Sequence, residues 1–466
     1  MTPEHDKETL SNIISLVNLT AGIGALLSFL LNDRIGRLWS LRLYSSIVAI
    51  GTLISTFSYG KAGALYVGRL VSGLGIGALT VTGPMSIVEV APRVTRGLMT
   101  LWFNIAMLLC QTIGIVVVYG CSVHISPEKN LQWQTPFFVQ VIPPFFAVTL
   151  SFLVDESPRW LCLRGRSEEA LSVLARLRGN PANTDFVAAE FDSILTPIQL
   201  EIAEHGKPTL MSVLRETFTV RSNLRRVQLT VVAYILAQMS GANSITNYLP
   251  TIFGYIGVDT DEAKIYSSSL YAMAKLLCCV LASLFFVDAV GRRKSLFIGI
   301  TVQMLCHTYL GTFLNISAKR EVGAGASDAA IGAIYIHAFG WAVGLYSLPY
   351  LFGAELWPNR IRSFGGALSQ CFHWLFLFAI TKATPSILTS MDKWGAFIFF
   401  ATWCVIALVY VFIMVPETSG RTLESMDKLF EHRWYEMRKH AYETNLPESK
   451  DIEIAEHVED ETLERK

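Results

Sequence analysis

The stretch Asp33-Arg34-Ile35-Gly36-Arg37 decides the fold, because the second half of the chain contains a related stretch, Asp288-Ala289-Val290-Gly291-Arg292-Arg293. Each stretch follows an apolar segment and places a Gly among charged residues, which is typical of a tight turn between helices. We expect the carboxylates of Asp33 and Asp288 to meet an Arg of a neighbouring loop. A repeat of this kind indicates two related halves.

Two further motifs recur in the same order. Glu89-Val90-Ala91-Pro92, followed by Arg96, is matched by Glu355-Leu356-Trp357-Pro358, followed by Arg362, and residues 155–159 are echoed by 416–421. We expect Glu89 to pair with Arg96 and Glu355 with Arg362, because pairing lowers the cost of placing charges at a membrane edge. Such pairs would latch the halves together when that side is closed. The predicted latch residues are Asp33, Arg34, Arg37, Glu89, Arg96, Glu156, Arg159, Asp288, Arg292, Arg293, Glu355, Arg362 and Glu417.

The composition indicates a multi-pass membrane protein, since 52% of the 466 residues are hydrophobic and only 16% are charged. Basic and acidic residues are balanced at 38 each, so nothing favours a nucleic-acid partner. Apolar windows predict eleven spans near 12–32, 40–59, 63–88, 97–119, 134–154, 227–247, 264–287, 295–315, 329–353, 363–387 and 394–415.

The spans divide the chain into a bundle over 1–154, a linker with short helices over 155–226, a second bundle over 227–415 and a tail over 416–466. Lys and Arg are concentrated in the loops on the side of the linker and tail, which predicts that both are cytoplasmic. Two spans precede the second Gly turn but only one precedes the first. We therefore expect a twelve-span plan whose first helix is absent.

The sequence contains no residue pattern that favours an enzyme. The eight cysteines form no C-x-x-C pair and have no clustered His, so neither a metal site nor a disulfide is expected. Ser, His and Asp in the spans lack partners at catalytic spacing, which argues against an enzyme, and no cofactor is expected.

Residues 237–250, AQMSGANSITNYLP, place amides and hydroxyls within a predicted span. An unpaired amide facing lipid costs several kcal/mol, so we expect Gln238, Asn243 and Asn247 to face other helices or a water-filled cavity. Either these residues hold helices together, or they line a binding site for a solute rich in hydroxyls or carboxylates.

Lys275 is the most unusual charge, because it falls in the middle of a span. An ammonium there faces a cavity or a partner. It is expected either to attract an anionic solute or to pair with a helix-end carbonyl or a buried acid.

Taken together over essentially the whole chain, these motifs resemble the sugar porter family of the major facilitator superfamily. The resemblance rests on D-R-x-G-R, P-x4-E-x-A-P-x3-R-G, E-S-P-R-W-L, Q-x-x-G-x-N, the second G-R-R and P-E-T-x-G-R-T-L-E. It implies an all-α membrane fold of two pseudo-symmetric helix bundles, with one substrate site between them and alternating access. The positions matching the family site, with Gln111 and Lys275 added, are Asn104, Gln111, Gln238, Asn243, Asn247, Lys275, Tyr350, His373 and Trp374.

Several of these positions depart from the family pattern, including Ala237 for one of two Gln, Tyr350 for Trp and His373 for an amide. The departures leave the class of carrier intact and open the choice of substrate. We expect a monomeric plasma-membrane carrier of a sugar or related polyhydroxylated solute, with or without a co-transported proton. The alternatives are a quinate or organic acid permease of the fungal branch and a transport-inactive nutrient sensor.

Overall fold

The structure, a computed structural model, describes residues 3–92, 95–206, 209–258, 260–285, 290–346, 349, 353, 356–417, 429–430, 432 and 436. The side chains of residues 3–10, 96, 97, 205 and 359 lie outside this description. Throughout the described part the regular structure is helical, as the sequence predicts.

The described residues of the first half form six α-helices. They are α1 Pro3–Ile35, α2 Arg37–Thr56, α3 Ala62–Val90, α4 Arg96–His124, α5 Leu131–Val139 and α6 Ile142–Leu150. Both α1 and α2 pack on α3. Gly73 and Gly77 lie against α1, and Gly75 lies against α2. These glycines let the three backbones approach closely.

The linker forms four helices, α7 Pro158–Leu163, α8 Ser167–Arg178, α9 Asp185–His205 and α10 Leu210–Thr219. Helix α8 ends at Gly179, whose φ of 66° is left-handed. Val173 of α8 is buried in a small hydrophobic core with Ile198 of α9. Leu174, the next residue of α8, is also buried. The linker therefore has packed structure of its own.

In the second half, eight α-helices have both ends among the described residues. They are α11 Arg221–Met239, α12 Ala242–Asn247, α13 Leu249–Ile256, α14 Asp261–Phe285, α15 Arg292–Ser317, α16 Ala324–Trp341, α17 Arg362–Ser390 and α18 Trp394–Met414. A π-helical turn, Ala342–Tyr346, continues α16. Helix α15 packs on both α16 and α18.

Ten helical segments of the described chain are long and apolar enough to cross a membrane. They are Ser11–Ile35, Arg37–Thr56, Ala62–Val90, Leu98–His124, Leu131–Leu153, Asp261–Phe285, Arg292–Ser317, Ala324–Tyr346, Arg362–Ser390 and Trp394–Met414. The remaining predicted span, 227–247, is not one continuous helix. It is interrupted at Gly241, whose φ is 79°. Helix α11 also begins with Arg221, Arg225 and Arg226, so its apolar part is short.

The two halves meet mainly along two helix pairs, α1 with α17 and α4 with α14, and α3 also contacts α17. The repeat explains why there are two. Helices α1 and α14 both precede the Gly turn, and α4 and α17 both begin at the Arg of the second motif, Arg96 and Arg362. The two contacts are therefore equivalent under the pseudo-symmetry, as at an interface between related units.

Candidate functional site

The repeated charged motifs lie at one end of the molecule, hereafter the charged end. Arg37, the first residue of α2, lies at the centre of this end. Its Nη2 lies 2.8 Å from Glu89 Oε1 and its Nη1 lies 2.9 Å from Asp33 Oδ1. The side chains of Arg37 and Glu89 are 4% and 2% exposed. Asp33 thus meets an Arg, but in its own turn and not in a neighbouring loop. Glu89 pairs with Arg37; the side chain of Arg96 is outside the described residues, so the Glu89–Arg96 pair stays a prediction.

Glu156 caps the start of α2. Its Oε1 accepts a hydrogen bond from the backbone N–H of Arg37 at 2.9 Å, and its Oε2 accepts from that of Leu38 at 3.2 Å. These N–H groups have no partner inside the helix, and the helix dipole favours a carboxylate there. Gly36 has a φ of 96°, and a Cβ at this position would lie 2.4 Å from Glu156 Oε2. The motif therefore requires Gly in front of the capped helix.

Glu417 does the same for α15 in the second half. Its two carboxylate oxygens accept from the backbone N–H groups of Arg292 and Arg293, each at 3.1 Å, after Gly291 with a φ of 95°. The Arg293 side chain donates to the carbonyl of Phe412 at 2.9 Å. The repeat seen in the sequence thus corresponds to equivalent caps. The predicted latch residues Asp288 and Glu355 lie outside the described residues.

The two halves are joined at the charged end. Ser363 Oγ of α17 donates to Asp33 Oδ1 of α1 at 2.9 Å. Beside this contact is a cavity of about 340 Å³ whose polar lining includes Arg34, Arg159, Arg164, Glu201 and Arg362. Burial raises the pKa of Glu201, and the charge of Arg360 partly offsets that rise.

Gln238 links the interrupted helix to α17. Its Nε2 lies 3.2 Å from Nδ1 of His373, and its Oε1 accepts from Asn243 Nδ2 at 2.7 Å. Gln238 and His373 are buried, and the His373 ring lies 5.0 Å from the ring of Tyr234. Three predicted site residues are therefore brought together across the break at Gly241.

The short helix α12 is bonded to its surroundings through nearly every polar side chain. Asn247 Nδ2 donates to Thr381 Oγ1 at 3.2 Å, and Ser244 Oγ accepts from Thr384 Oγ1 at 2.8 Å. Tyr248, directly after α12, donates to the carbonyl of Thr381 at 3.1 Å. For Asn247 the contact with Thr381 is the kind expected if the residue holds helices together, and its role in binding a solute stays a prediction.

Among the described residues, Lys275 is paired with neither a helix-end carbonyl nor a buried acid. Its Nζ donates to Thr246 Oγ1 of α12 at 3.2 Å and lies 3.9 Å from the centre of the Trp341 ring. The residue is 3% exposed. The contacts found in the described chain are thus a hydroxyl and an aromatic face.

Asn104 and Gln370 occupy equivalent positions, each eight residues after the Arg of the second motif, on α4 and α17. They are 1% and 4% exposed. The two polar side-chain atoms of Asn104, Oδ1 and Nδ2, lack a hydrogen-bond partner among the described residues, and so does Oε1 of Gln370. Gln370 Nε2 donates to Tyr234 OH at 3.0 Å. Sequence reasoning missed Gln370, although counting from Arg362 as from Arg96 would have found it.

The remaining predicted site residues are more dispersed. Gln111 is exposed on α4. Trp374 Nε1 donates to Thr80 Oγ1 of α3 at 3.0 Å, so this side chain joins the two halves. Tyr350 lies outside the described residues.

The comparison with known families identifies the chain. Residues 2–430 match the sugar (and other) transporter family. The chain belongs to this family. This transporter is 30% identical over 441 residues to a probable quinate permease of Aspergillus flavus, covering 92% of this chain and 81% of the relative. It is also 30% identical over 430 residues to a quinate permease of Neurospora terricola, with 90% and 80% covered.

The solved structures agree on the fold of the transporter. The proton:xylose symporter XylE, a major facilitator superfamily protein, in complex with 6-bromo-6-deoxy-D-glucose superposes with a TM-score of 0.79 at 22% identity, covering 92% of this chain and 91% of that one. The inward-open form of XylE from E. coli gives 0.69 at 21% identity, with 92% and 91% covered. The predicted fold of two pseudo-symmetric helix bundles is confirmed, and the family consists of transporters, not enzymes.

Proposed function

We propose that this transporter is a secondary carrier that moves a sugar or related polyhydroxylated solute by alternating access, with one central site between the two bundles. The observation that carries the proposal is the pair of buried amides, Asn104 and Gln370, with atoms that have no partner among the described residues. A buried polar atom without a hydrogen bond costs about 1–3 kcal/mol. A solute that satisfies these atoms when it binds would account for them.

The residue types fit a solute rich in hydroxyls. An amide both donates and accepts, so it can read a hydroxyl in either role. Gln238 and Asn243 add two more amides at the break between α11 and α12, where an interrupted helix is typical of transporter sites. Trp374 offers an aromatic surface for the apolar face of a sugar ring.

The contacts between the halves support movement of one bundle against the other. The α1–α17 and α4–α14 pairs are equivalent, so rocking can open one end as it closes the other. In this proposal the charged end faces the cytoplasm, and the hydrogen bond from Ser363 to Asp33 helps to hold the two halves together on that side. The exposed apolar side chains of α4 and α6, such as Trp102 and Phe145, face lipid. We place the carrier in the plasma membrane as a monomer.

Replacing Asn104 with Leu is expected to separate transport from stability. The change removes the unsatisfied amide at similar volume, so the folded protein should be at least as stable, whereas solute uptake should fall about tenfold or more through the lost hydrogen bonds. Transport is measured as tracer uptake of hexoses, pentoses, disaccharides, polyols and quinate in a hexose-transport-deficient cell. Stability is measured as the thermal midpoint of the protein in detergent. Gln140→Leu, at an exposed position directly after α5, is the control. Unchanged uptake in Asn104→Leu with full uptake in wild type would remove Asn104 from the site.

A carboxylated cyclic polyol such as quinate is the second candidate, favoured by Lys275 and by the relatives named as quinate permeases. Lys275 donates to α12, the same short helix that carries Asn243. A solute carboxylate approaching α12 would find an ammonium that lacks a carboxylate partner in the described chain. That arrangement favours an anion over a neutral sugar.

Lys275→Met is therefore expected to lower uptake of quinate about tenfold or more while changing uptake of a neutral hexose much less. The substitution keeps the length of the side chain and removes its charge. Lys264→Met on the same helix is the matched control, since Lys264 pairs with the exposed Asp261 near the start of α14. Equal losses for quinate and hexose would show that Lys275 serves the packing of α12 and α14 and not anion recognition.

A further inference from the structure

A cluster of buried polar side chains lies inside the second bundle, apart from the candidate solute site. Gln303 and His307 stand one helical turn apart on α15, and His337 faces them from α16. All three residues are 0% exposed. The two imidazole rings are 4.7 Å apart between centroids and are inclined at 66°.

The hydrogen bonds of the cluster show which of its ring nitrogens donate and which accept. His307 Nε2 lies 2.7 Å from the carbonyl oxygen of Ser240, and because a carbonyl only accepts, this nitrogen carries the hydrogen. His307 Nδ1 is then a lone-pair acceptor. Gln303 Nε2 lies 3.3 Å from His337 Nε2. His307 Nδ1, His337 Nδ1 and Gln303 Oε1 all lack a partner in the described part of the chain.

His307 is attached to the break that shapes the candidate site. Its acceptor, Ser240, directly precedes Gly241, where the chain passes from α11 to α12. Phe400 of α18 packs on both, since its ring lies 5.6 Å from that of His307 and a Cβ on Gly241 would be 2.5 Å from it. A change in the hydrogen-bonding state of His307 therefore acts on the turn between Gln238 and Asn243.

The groups around the pair include one charge. Helix α14 contributes Lys275, which lies over Trp341, one turn after His337 on α16. The break contributes Ser240, and α18 contributes the rings of Phe397 and Phe400. The Asp and Glu residues within the ten candidate spans lie near helix ends and are Asp33, Glu89, Asp261, Glu262 and Asp328.

We propose that the His307–His337 pair is a proton-binding site that couples a proton to solute movement through the Ser240–Gly241 break. One proton from water is taken up on Nδ1 of His307 when movement of the break admits water to the pair, and it returns to water when the cycle reverses. Once it is protonated, the His307–His337 pair carries a positive charge, and burying that charge without water beside the Lys275 ammonium is unfavourable. Protonation therefore favours the conformation in which the break is open to water. A solute carboxylate that neutralises Lys275 makes proton binding easier, and by linkage the proton favours the solute.

The test compares uptake across pH in the full-length protein reconstituted into liposomes. In His307→Gln the new amide can still donate to the Ser240 carbonyl but cannot take up a proton. Wild-type uptake should increase as pH falls from 8 to 5, by up to about tenfold per unit, the limit for one bound proton. His307→Gln should keep the folded state and lose this slope, and His337→Gln should reduce it. His124→Gln, at the exposed end of α4, should keep the wild-type slope.

The inference rests on the proposed transport function, and the two can fail separately. Wild-type uptake with a pH slope that His307→Gln retains overturns the proton site and leaves the carrier standing, as does wild-type uptake with no slope. If no solute is taken up, the carrier proposal fails, and the proton site is decided by histidine 15N signals of the protein in nanodiscs. A signal lost in His307→Gln that moves between pH 8 and 5 supports the site, and one that does not move overturns it.

Discussion

Gly77→Ala should prevent α1 and α3 from packing as they do in the native transporter. A Cβ on Gly77 would lie 1.8 Å from the carbonyl oxygen of Ala21 and 2.5 Å from its carbonyl carbon, and backbone atoms cannot rotate away. One helix must shift along its whole length, and overpacking of this kind costs about 3 kcal/mol or more. The expected result is a large fall in folded, monodisperse protein and in the thermal midpoint in detergent.

The matched control is Gly114→Ala, in the middle of α4, where a Cβ would meet nothing within 4 Å. Ala is a better helix former than Gly by about 1 kcal/mol, so this variant should be unchanged or slightly more stable. The same chemical change thus has opposite signs at two helical glycines. A Gly77→Ala protein as stable as Gly114→Ala would contradict the close approach of α1 and α3.

Arg37→Leu is expected to be about as damaging, for an electrostatic reason. It leaves the 2% exposed carboxylate of Glu89 without its ion pair at the charged end. Removing one partner of a buried pair costs about 3–5 kcal/mol, because the other charge stays buried and uncompensated. The measurement is the thermal midpoint of the purified protein, together with uptake.

Two variants show whether the pair itself is responsible. Arg37→Leu combined with Glu89→Leu removes both charges and should recover most of the lost stability. Arg176→Leu breaks an ion pair with Asp155 whose side chains are 59% and 40% exposed, and it should change little. If the double variant is no better than Arg37→Leu, the contacts of Arg37 with Asp33 and Asn32 matter more than Glu89.

Much of the fold could be predicted because the membrane imposes it locally. Apolar length gives the spans, and the repeated Gly turns give the two halves, since both signals are contained in contiguous residues. The break within 227–247 was harder to predict, although Ser240-Gly241 and Pro250 are residues that favour an interruption of a helix. The domain limits at 154, 226 and 415 stay predictions.

The sequence predicted part of the grouping of the candidate site residues, and their role in binding a solute stays a prediction. Gln238, Asn243 and His373 were identified from their positions in motifs, and they touch. Gln370 was overlooked because its match to Asn104 appears only when the two halves are aligned on Arg96 and Arg362. His307 and His337 carry no motif signal, because neither belongs to a repeated motif and the two lie on different helices.

By itself the sequence determined that the chain consists of two related sets of membrane helices with charged turns at one end. That information lies in the length, composition and order of segments, which do not depend on how helices are rotated. Only the tertiary structure decided the partners: Arg37 for Glu89, Trp341 and Thr246 for Lys275, and Ser240 for His307. Contacts between distant helices depend on the rotation and crossing of each helix, and packing over the whole bundle sets both.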